Sequence, residues 1–170
     1  MRVIIATLGI LSAAQGAAFA QEPAERLRPL AWIVGEWEGS GKYGNEEFTE
    51  TTTYEWSHGK NFIKWSAEAR MGDQVVHSET GMLGWDEAKG RLVSFSFSMD
   101  GTIGHAEDQA AEEKDTWVWL GNVGNTPPWH DTRQVMKRVD DDTFSIEVQT
   151  KNEGQYATFF TGSYTRKKTE

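Results

Sequence analysis

The sequence predicts an all-β fold, namely an up-and-down antiparallel barrel of about ten strands preceded by one short helix. From Glu36 onward, apolar and polar residues alternate with a period of two, which is typical of strands. Gly, Asp and Asn interrupt this alternation about every ten residues, and the connections are too short for the crossover helices that parallel strands need. A sheet of this size must curl or split, and closing it into a barrel removes both exposed edges. A two-sheet β-sandwich built from the same hairpins is the alternative.

The first twenty residues predict a cleaved signal peptide. Arg2 provides a positive start, residues 3–14 form an apolar run, and residues 18–20 are Ala-Phe-Ala, a small-residue cleavage motif. The apolar run is too short for a membrane-spanning helix, which needs about 20 residues. We therefore expect an exported protein, periplasmic or secreted and not inserted in a membrane, in which residues 21–170 form one domain.

A single helix is predicted just before the strands, with Pro29 in its first turn and Gly35 at its end. Its apolar stripe follows helical spacing and consists of Leu27, Leu30, Ala31 and Val34. The ten strands are predicted near residues 36–43, 47–57, 60–70, 74–84, 91–99, 102–109, 115–121, 132–139, 143–150 and 155–166. The longest irregular loop, residues 122–129, contains Pro127-Pro128, and we expect it near an opening of the barrel.

Composition excludes several classes of function. The chain carries 17 basic and 26 acidic residues, a formal net charge of −9, which argues against nucleic acid or an anionic membrane as partner. Cysteine is absent, so disulfides and thiolate metal sites are excluded. No nucleophile elbow, phosphate loop, dinucleotide fingerprint or zinc-protease helix is present, and we predict neither a cofactor nor a metal.

Two His-x-Glu pairs, His77/Glu79 and His105/Glu107, are the clearest candidates for a polar site. A two-residue turn after the fifth strand would place Ser96 opposite His105, and the preceding hairpin would place Glu79 opposite Ser96. Both pairs would then flank a row of serines on one face of the sheet. Such a pocket suits proton transfer, in which a carboxylate orients an imidazole, or binding of a divalent metal.

The alternative is that this polar face is simply solvated. The opposite face of the same strand carries Val93, Phe95, Phe97 and Met99, and apolar residues inside with serines outside is the usual antiparallel pattern. A register error of one residue would also separate the two pairs.

Eight tryptophans are many for one domain of this length. We interpret Trp65, on a predicted hairpin, and Trp129, in the Pro-Pro loop, as walls of an apolar cavity for a flat or aliphatic ligand. The alternative is that tryptophans only fill the interior of a wide barrel.

The segment LAWIVGEWEG, residues 30–39, resembles the opening of a lipocalin-like bacterial family known as a domain of unknown function and related in fold to nitrobindin. Gly84-Trp85-Asp86, followed by the alternating strand 93–99 and Asp100-Gly101, is similar to the central hairpin of that family. The resemblance implies a ten-stranded, calycin-like barrel whose mouth is closed by the N-terminal helix. Nitrobindin binds heme through a histidine inside its barrel, but no histidine follows His130 here, so that ligand is not carried over.

The function expected from these observations is that of an exported binding protein that holds a small hydrophobic or amphipathic ligand in a barrel cavity. An isomerase- or hydrolase-type enzyme that uses the His/Glu pairs is one alternative. A structural or interaction protein of the envelope, which would use a surface patch, is the other.

Overall fold

The computed structural model describes residues 24–122 and 132–168. It begins with a 3₁₀ helix over Glu25–Ile33. Ten strands follow: β1 (Gly35–Tyr43), β2 (Glu46–Ser57), β3 (Phe62–Met71), β4 (Gln74–Asp86), β5 (Arg91–Ser98), β6 (Ile103–Gln109), β7 (Thr116–Asn122), β8 (Thr132–Arg138), β9 (Thr143–Asn152) and β10 (Gln155–Arg166). All ten predicted strands are present, and their ends differ from the prediction by at most two residues.

The strands form one closed antiparallel barrel in the order β1-β10-β9-β8-β7-β6-β5-β4-β3-β2. Each strand pairs with its neighbours in sequence, and β1 pairs with β10 to close the sheet. The predicted barrel is therefore confirmed, and the β-sandwich alternative is wrong.

The helix closes one end of the barrel, and its geometry corrects the prediction. Its buried residues are Leu27, Leu30 and Ile33, spaced by three as in a 3₁₀ helix, and they replace the predicted α-helical stripe that included Ala31 and Val34. Pro29 lies inside the helix, where its ring would clash with the carbonyl four residues earlier if the helix were α. Gly35 begins β1 instead of capping the helix.

The seam between β1 and β10 explains the glycine and tryptophan spacing of residues 35–39. Trp37 is 1% exposed, and its Nε1 donates a hydrogen bond to the carbonyl of Ile33 at 2.7 Å, which fastens the helix to β1. Gly39 lies against the ring of Tyr164 on β10, where a Cβ atom would come within 2.4 Å of Cε1. Glycine is therefore required at position 39 for the two strands to pair this closely.

The β5–β6 hairpin turns through three residues, Met99-Asp100-Gly101, and not through two as predicted. Phe97 pairs with Ile103, and the N–H of Ser98 donates to the carbonyl of Thr102 at 2.9 Å. Gly101 has a φ of +86°, which suits the left-handed position that ends a three-residue loop. The register of β6 is thus one residue away from the prediction, which reverses the face on which each β6 side chain lies.

Candidate binding cavity

The barrel encloses a cavity of about 480 Å³. Leu30 and Ile33 of the helix form its floor. Its wall is largely apolar and includes Phe48, Trp65, Leu83, Trp119, Met136 and Phe160. This volume and this composition are typical of a small-molecule pocket, in which an apolar wall supplies burial and a few polar groups orient the ligand.

A polar sector interrupts this wall on β2, β4 and β5, with β3 lying between β2 and β4. Its side chains are Glu50, His77, Glu79, Ser94, Ser96 and Ser98. The serines of β5 therefore point inward. Because the inward side chains of β5 are small, they leave space inside the barrel, and the cavity occupies this space.

The outward face of β5 is apolar, contrary to the usual antiparallel pattern. Phe95, Phe97 and Met99 are 47%, 54% and 63% exposed, and Ile103 of β6 lies beside them at 57%. The alternative in which these side chains form the core and the serines face solvent is therefore wrong.

Because β6 takes the shifted register, the side chains of His105 and Glu107 lie on the outer face, although His105 also borders the cavity. The pairing places His105 opposite Phe95 and leaves Ser96 opposite Gly104, so the predicted Ser96–His105 pair is wrong. The imidazole of His105 packs against the Phe95 ring at 4.8 Å between centroids. Glu107 forms ion pairs with Lys89 and Arg91, and the hydrogen bond from Lys89 lowers the pKa of this carboxyl.

His77 and Glu79 remain together in the cavity, although Glu79 pairs with Ser98 and not with Ser96 as predicted. Because the pairing of β4 with β5 is shifted by two residues, which is the period of a strand, Glu79 and the serines of β5 still lie on the same face of the sheet. Nε2 of His77 lies 3.5 Å from Oε1 of Glu79, whose side chain is 15% exposed, and the Ser98 hydroxyl donates to Oε2 at 3.4 Å. The interaction with Glu79 raises the pKa of His77 against the opposing effect of burial.

Glu50 is the main site residue that sequence reasoning missed. The hydroxyls of Thr52 and Tyr164 both donate to its Oε1, at 2.7 and 3.0 Å, and burial raises the pKa of this carboxyl. Its other oxygen, Oε2, has no hydrogen-bond partner among the described residues. The alternation of β2 could have identified Glu50, because Phe48, Glu50 and Thr52 share one face of the strand, and Phe48 and Thr52 are buried.

The remaining predicted site residues are placed as follows. Ser96 and Trp65 line the cavity. Trp129 lies outside the described residues, so its position at the entrance stays a prediction. The structure thus brings His77, Glu79, Ser96 and Trp65 to one cavity. Of the second pair, His105 borders this cavity although its ring packs against Phe95 on the outer face, and Glu107 does not line it.

Within residues 24–122 and 132–168, no group of three or more His, Cys, Asp or Glu side chains could hold a metal ion. None of the helices in this part of the chain is long and apolar enough to cross a membrane.

Comparison with known proteins adds a family and two similar folds. The profile of the family described as "THAP4-like, heme-binding beta-barrel domain" matches residues 26–166. Rv2717c from M. tuberculosis is similar in structure, with a TM-score of 0.64 and 21% identity over 86% of this chain and 100% of that one. The S-type phycobiliprotein lyase CPES from Guillardia theta has a TM-score of 0.52 and 15% identity over 82% of this chain and 90% of its own. No curated protein matches.

Proposed function

Because the chain belongs to the family of THAP4-like, heme-binding β-barrel domains, we propose that it is a binding protein that holds one small hydrophobic or amphipathic molecule in its barrel. The observation that carries the proposal is the cavity of about 480 Å³, which the helix closes at one end. Pockets for small molecules span about 300–1,000 Å³. The apolar wall supplies affinity through burial, and the polar sector on β2, β4 and β5 orients the ligand.

Titration with the neutral fluorescent probe N-phenyl-1-naphthylamine tests this proposal. We expect a saturable rise in probe fluorescence with one site per chain. Ser96→Phe should abolish it, because Ser96 is 7% exposed and faces the cavity. The matched control is Ser66→Phe, which places the same ring on the exposed outer face of β3 and should leave binding unchanged. Ala67→Phe provides a second filling variant if Ser96→Phe does not fold.

A probe that fails to bind the folded protein would refute the proposal. So would equal binding by the folded filling variants and the outer-face control, because the ligand would then lie outside the barrel.

Heme is the ligand named in the family description, but the described residues do not fit it. Two described histidines line the cavity, but Nε2 of His77 lies 3.5 Å from Oε1 of Glu79, and the ring of His105 packs against Phe95 on the outer face. No described Lys or Arg side chain lines the cavity to balance the two propionates, whereas the carboxylates of Glu50, Glu79 and Asp100 do line it. We expect no saturable Soret band on titration with hemin. A band that disappears in His77→Ala would contradict this expectation.

The two alternative functions retain part of their support. Of the two His/Glu pairs, an enzyme could use only His77 and Glu79, since the ring of His105 and the side chain of Glu107 lie on the outer face. An interaction protein of the envelope would use the exposed apolar strip formed by Phe95, Phe97 and Ile103. The enclosed cavity favours ligand binding over both.

We also propose that the protein is exported to the periplasm or secreted. We further propose that it belongs to the lipocalin-like bacterial family whose opening segment residues 30–39 of this chain resemble. The support is the tripartite sequence of residues 1–20, which lies outside the described residues. Mass spectrometry of protein from the native cell should find an N-terminus at Gln21 in the exported fraction. An intact Met1 in the cytoplasmic fraction would refute export.

A further inference from the structure

The charges that face the cavity are predominantly negative. The carboxylates of Glu50, Glu79 and Asp100 line it, together with His77 and with His105, whose ring packs on the outer face against Phe95. Among the described residues no Lys or Arg lines the cavity. Arg70 of β3 lies on the outer face of the barrel, where its guanidinium pairs with the carboxylate of Glu68 at 2.8 Å.

Glu79 is in direct contact with His77, whereas Glu50 forms no ion pair with a described residue, and His77 acts on it only from beyond ion-pair distance. The partners of Glu50 are two neutral hydroxyls, both on Oε1, so that Oε2 remains an open acceptor. Tyr54 lines the same cavity, and its hydroxyl has no hydrogen-bond partner among the described residues. Burial raises the pKa of Tyr54, which keeps this hydroxyl neutral and free to hydrogen-bond to a ligand.

Aromatic rings line the same cavity as these acceptors. Phe48 lies two residues from Glu50 on the same face of β2, and Tyr54 pairs with Trp65 further along β2 and β3. The faces of such rings attract organic cations, and this attraction strengthens where water is excluded. A carboxylate beside aromatic faces in a low-dielectric pocket therefore favours a positively charged group and repels an anion.

We propose that the cavity selects an apolar cation, that is, a molecule with an aliphatic or aromatic body and an ammonium group that Glu50 and the surrounding rings hold. This inference rests on the proposed binding function and adds the charge of the ligand to it. The apolar body lies over Leu30 and Ile33 of the floor. An anionic ligand of the same size instead meets the carboxylate of Glu50, which forms no ion pair with a described residue.

Displacement of N-phenyl-1-naphthylamine by three decyl compounds, used below their micelle concentrations, tests the inference. The compounds are decyltrimethylammonium, decanol and decyl sulfate, which share an apolar chain and differ in charge. We expect the cation to bind at least about tenfold more tightly than the sulfate, with decanol between them. Glu50→Gln should narrow this ratio, and Glu79→Gln is a second variant should Glu50→Gln not fold.

The control is Glu68→Gln, which removes one negative charge from the outer face and should leave the ratio unchanged. The inference is overturned if decyl sulfate binds as tightly as the cation, or if the ratio survives in folded Glu50→Gln and Glu79→Gln. In those cases decanol and the probe still bind, and the proposed function stands. If neither the probe nor decanol binds, the inference and the proposed function both fall.

Discussion

Arg166, at the end of β10, should be one of the most important single side chains for stability outside the apolar core. Its guanidinium lies 4.2 Å above the ring of Trp37 and donates hydrogen bonds to the carbonyls of Val34, at 2.9 Å, and Trp32. It also forms an ion pair with Asp142 at 3.3 Å. One side chain thus joins the end of the helix, the first strand and the last strand.

The expected magnitude follows from these contacts. Each hydrogen bond from a charged donor to a carbonyl contributes about 1.5 kcal/mol. The stacking on Trp37 adds about 1 kcal/mol, and immobilising the long side chain costs about 2 kcal/mol. The ion pair adds little, because the Asp142 side chain is 56% exposed. We therefore expect Arg166→Met to lower the free energy of unfolding by about 2 kcal/mol, and Arg166→Lys by at least half of that, since an ammonium cannot reproduce the planar fork.

Urea denaturation, followed by tryptophan fluorescence and by circular dichroism, measures this change. The matched control is Lys167→Met, which removes the same charge from the neighbouring residue. Lys167 lies 3.8 Å from Glu36 with both side chains more than half exposed, so its loss should cost less than about 0.5 kcal/mol. If Arg166→Met costs no more than Lys167→Met, or if Arg166→Lys is as stable as the wild type, the role assigned to the guanidinium is wrong.

Three further predictions concern the seam and the polar sector. Gly39→Ala should lower the free energy of unfolding by about 1–3 kcal/mol in urea denaturation, because its Cβ atom would collide with the buried ring of Tyr164. Glu79→Gln should lower the pKa of His77 in an NMR titration, because the bond to Glu79 is the largest cause of its increase. Because the pKa of Glu50 is raised in the folded state, folding favours the protonated carboxyl, and the free energy of unfolding of the wild type should fall as the pH rises just above 4.5. Glu50→Gln should flatten this decline, because glutamine carries no such proton.

Each of these predictions has its own control. Ser40→Ala, on the exposed face of β1, should be nearly neutral, and an equally mild Gly39→Ala would contradict the crowding at the seam. Glu68→Gln should leave the pKa of His77 unchanged. A rise in this pKa in Glu79→Gln, or a pH profile that is the same in Glu50→Gln as in the wild type, would contradict the electrostatic account of the polar sector.

The fold was largely predictable because its information is local. Each hairpin is encoded by alternation and by turn residues within about 25 positions, so the ten strands were identified to within two residues. The helix type was not, because so short a helix with a central proline fits both helical periods, and packing of Leu27, Leu30 and Ile33 on the barrel decides between them.

The site was predictable only in part, because its geometry depends on register. The Asp100-Gly101 pair is compatible with both a two-residue and a three-residue loop, and this one choice decides whether His105 enters the barrel or leaves it. The inward face of β5 was also ambiguous, since binary patterning assigns Phe95 and Phe97 to a core. In the barrel, side chains from other strands already supply that core, and serines on β5 leave the cavity open.

The seam between β1 and β10 also bears on how the chain folds. Nine of the ten strand pairings join neighbours in sequence, whereas the tenth joins Trp37 to Arg166, across almost the whole domain. Closing so long a loop is slow, and the contacts that compensate for it form only when both ends have met. Until β10 arrives, the open sheet has two unpaired edges, which are templates for association with other chains. During synthesis on the ribosome, the barrel therefore cannot close until β10 has emerged.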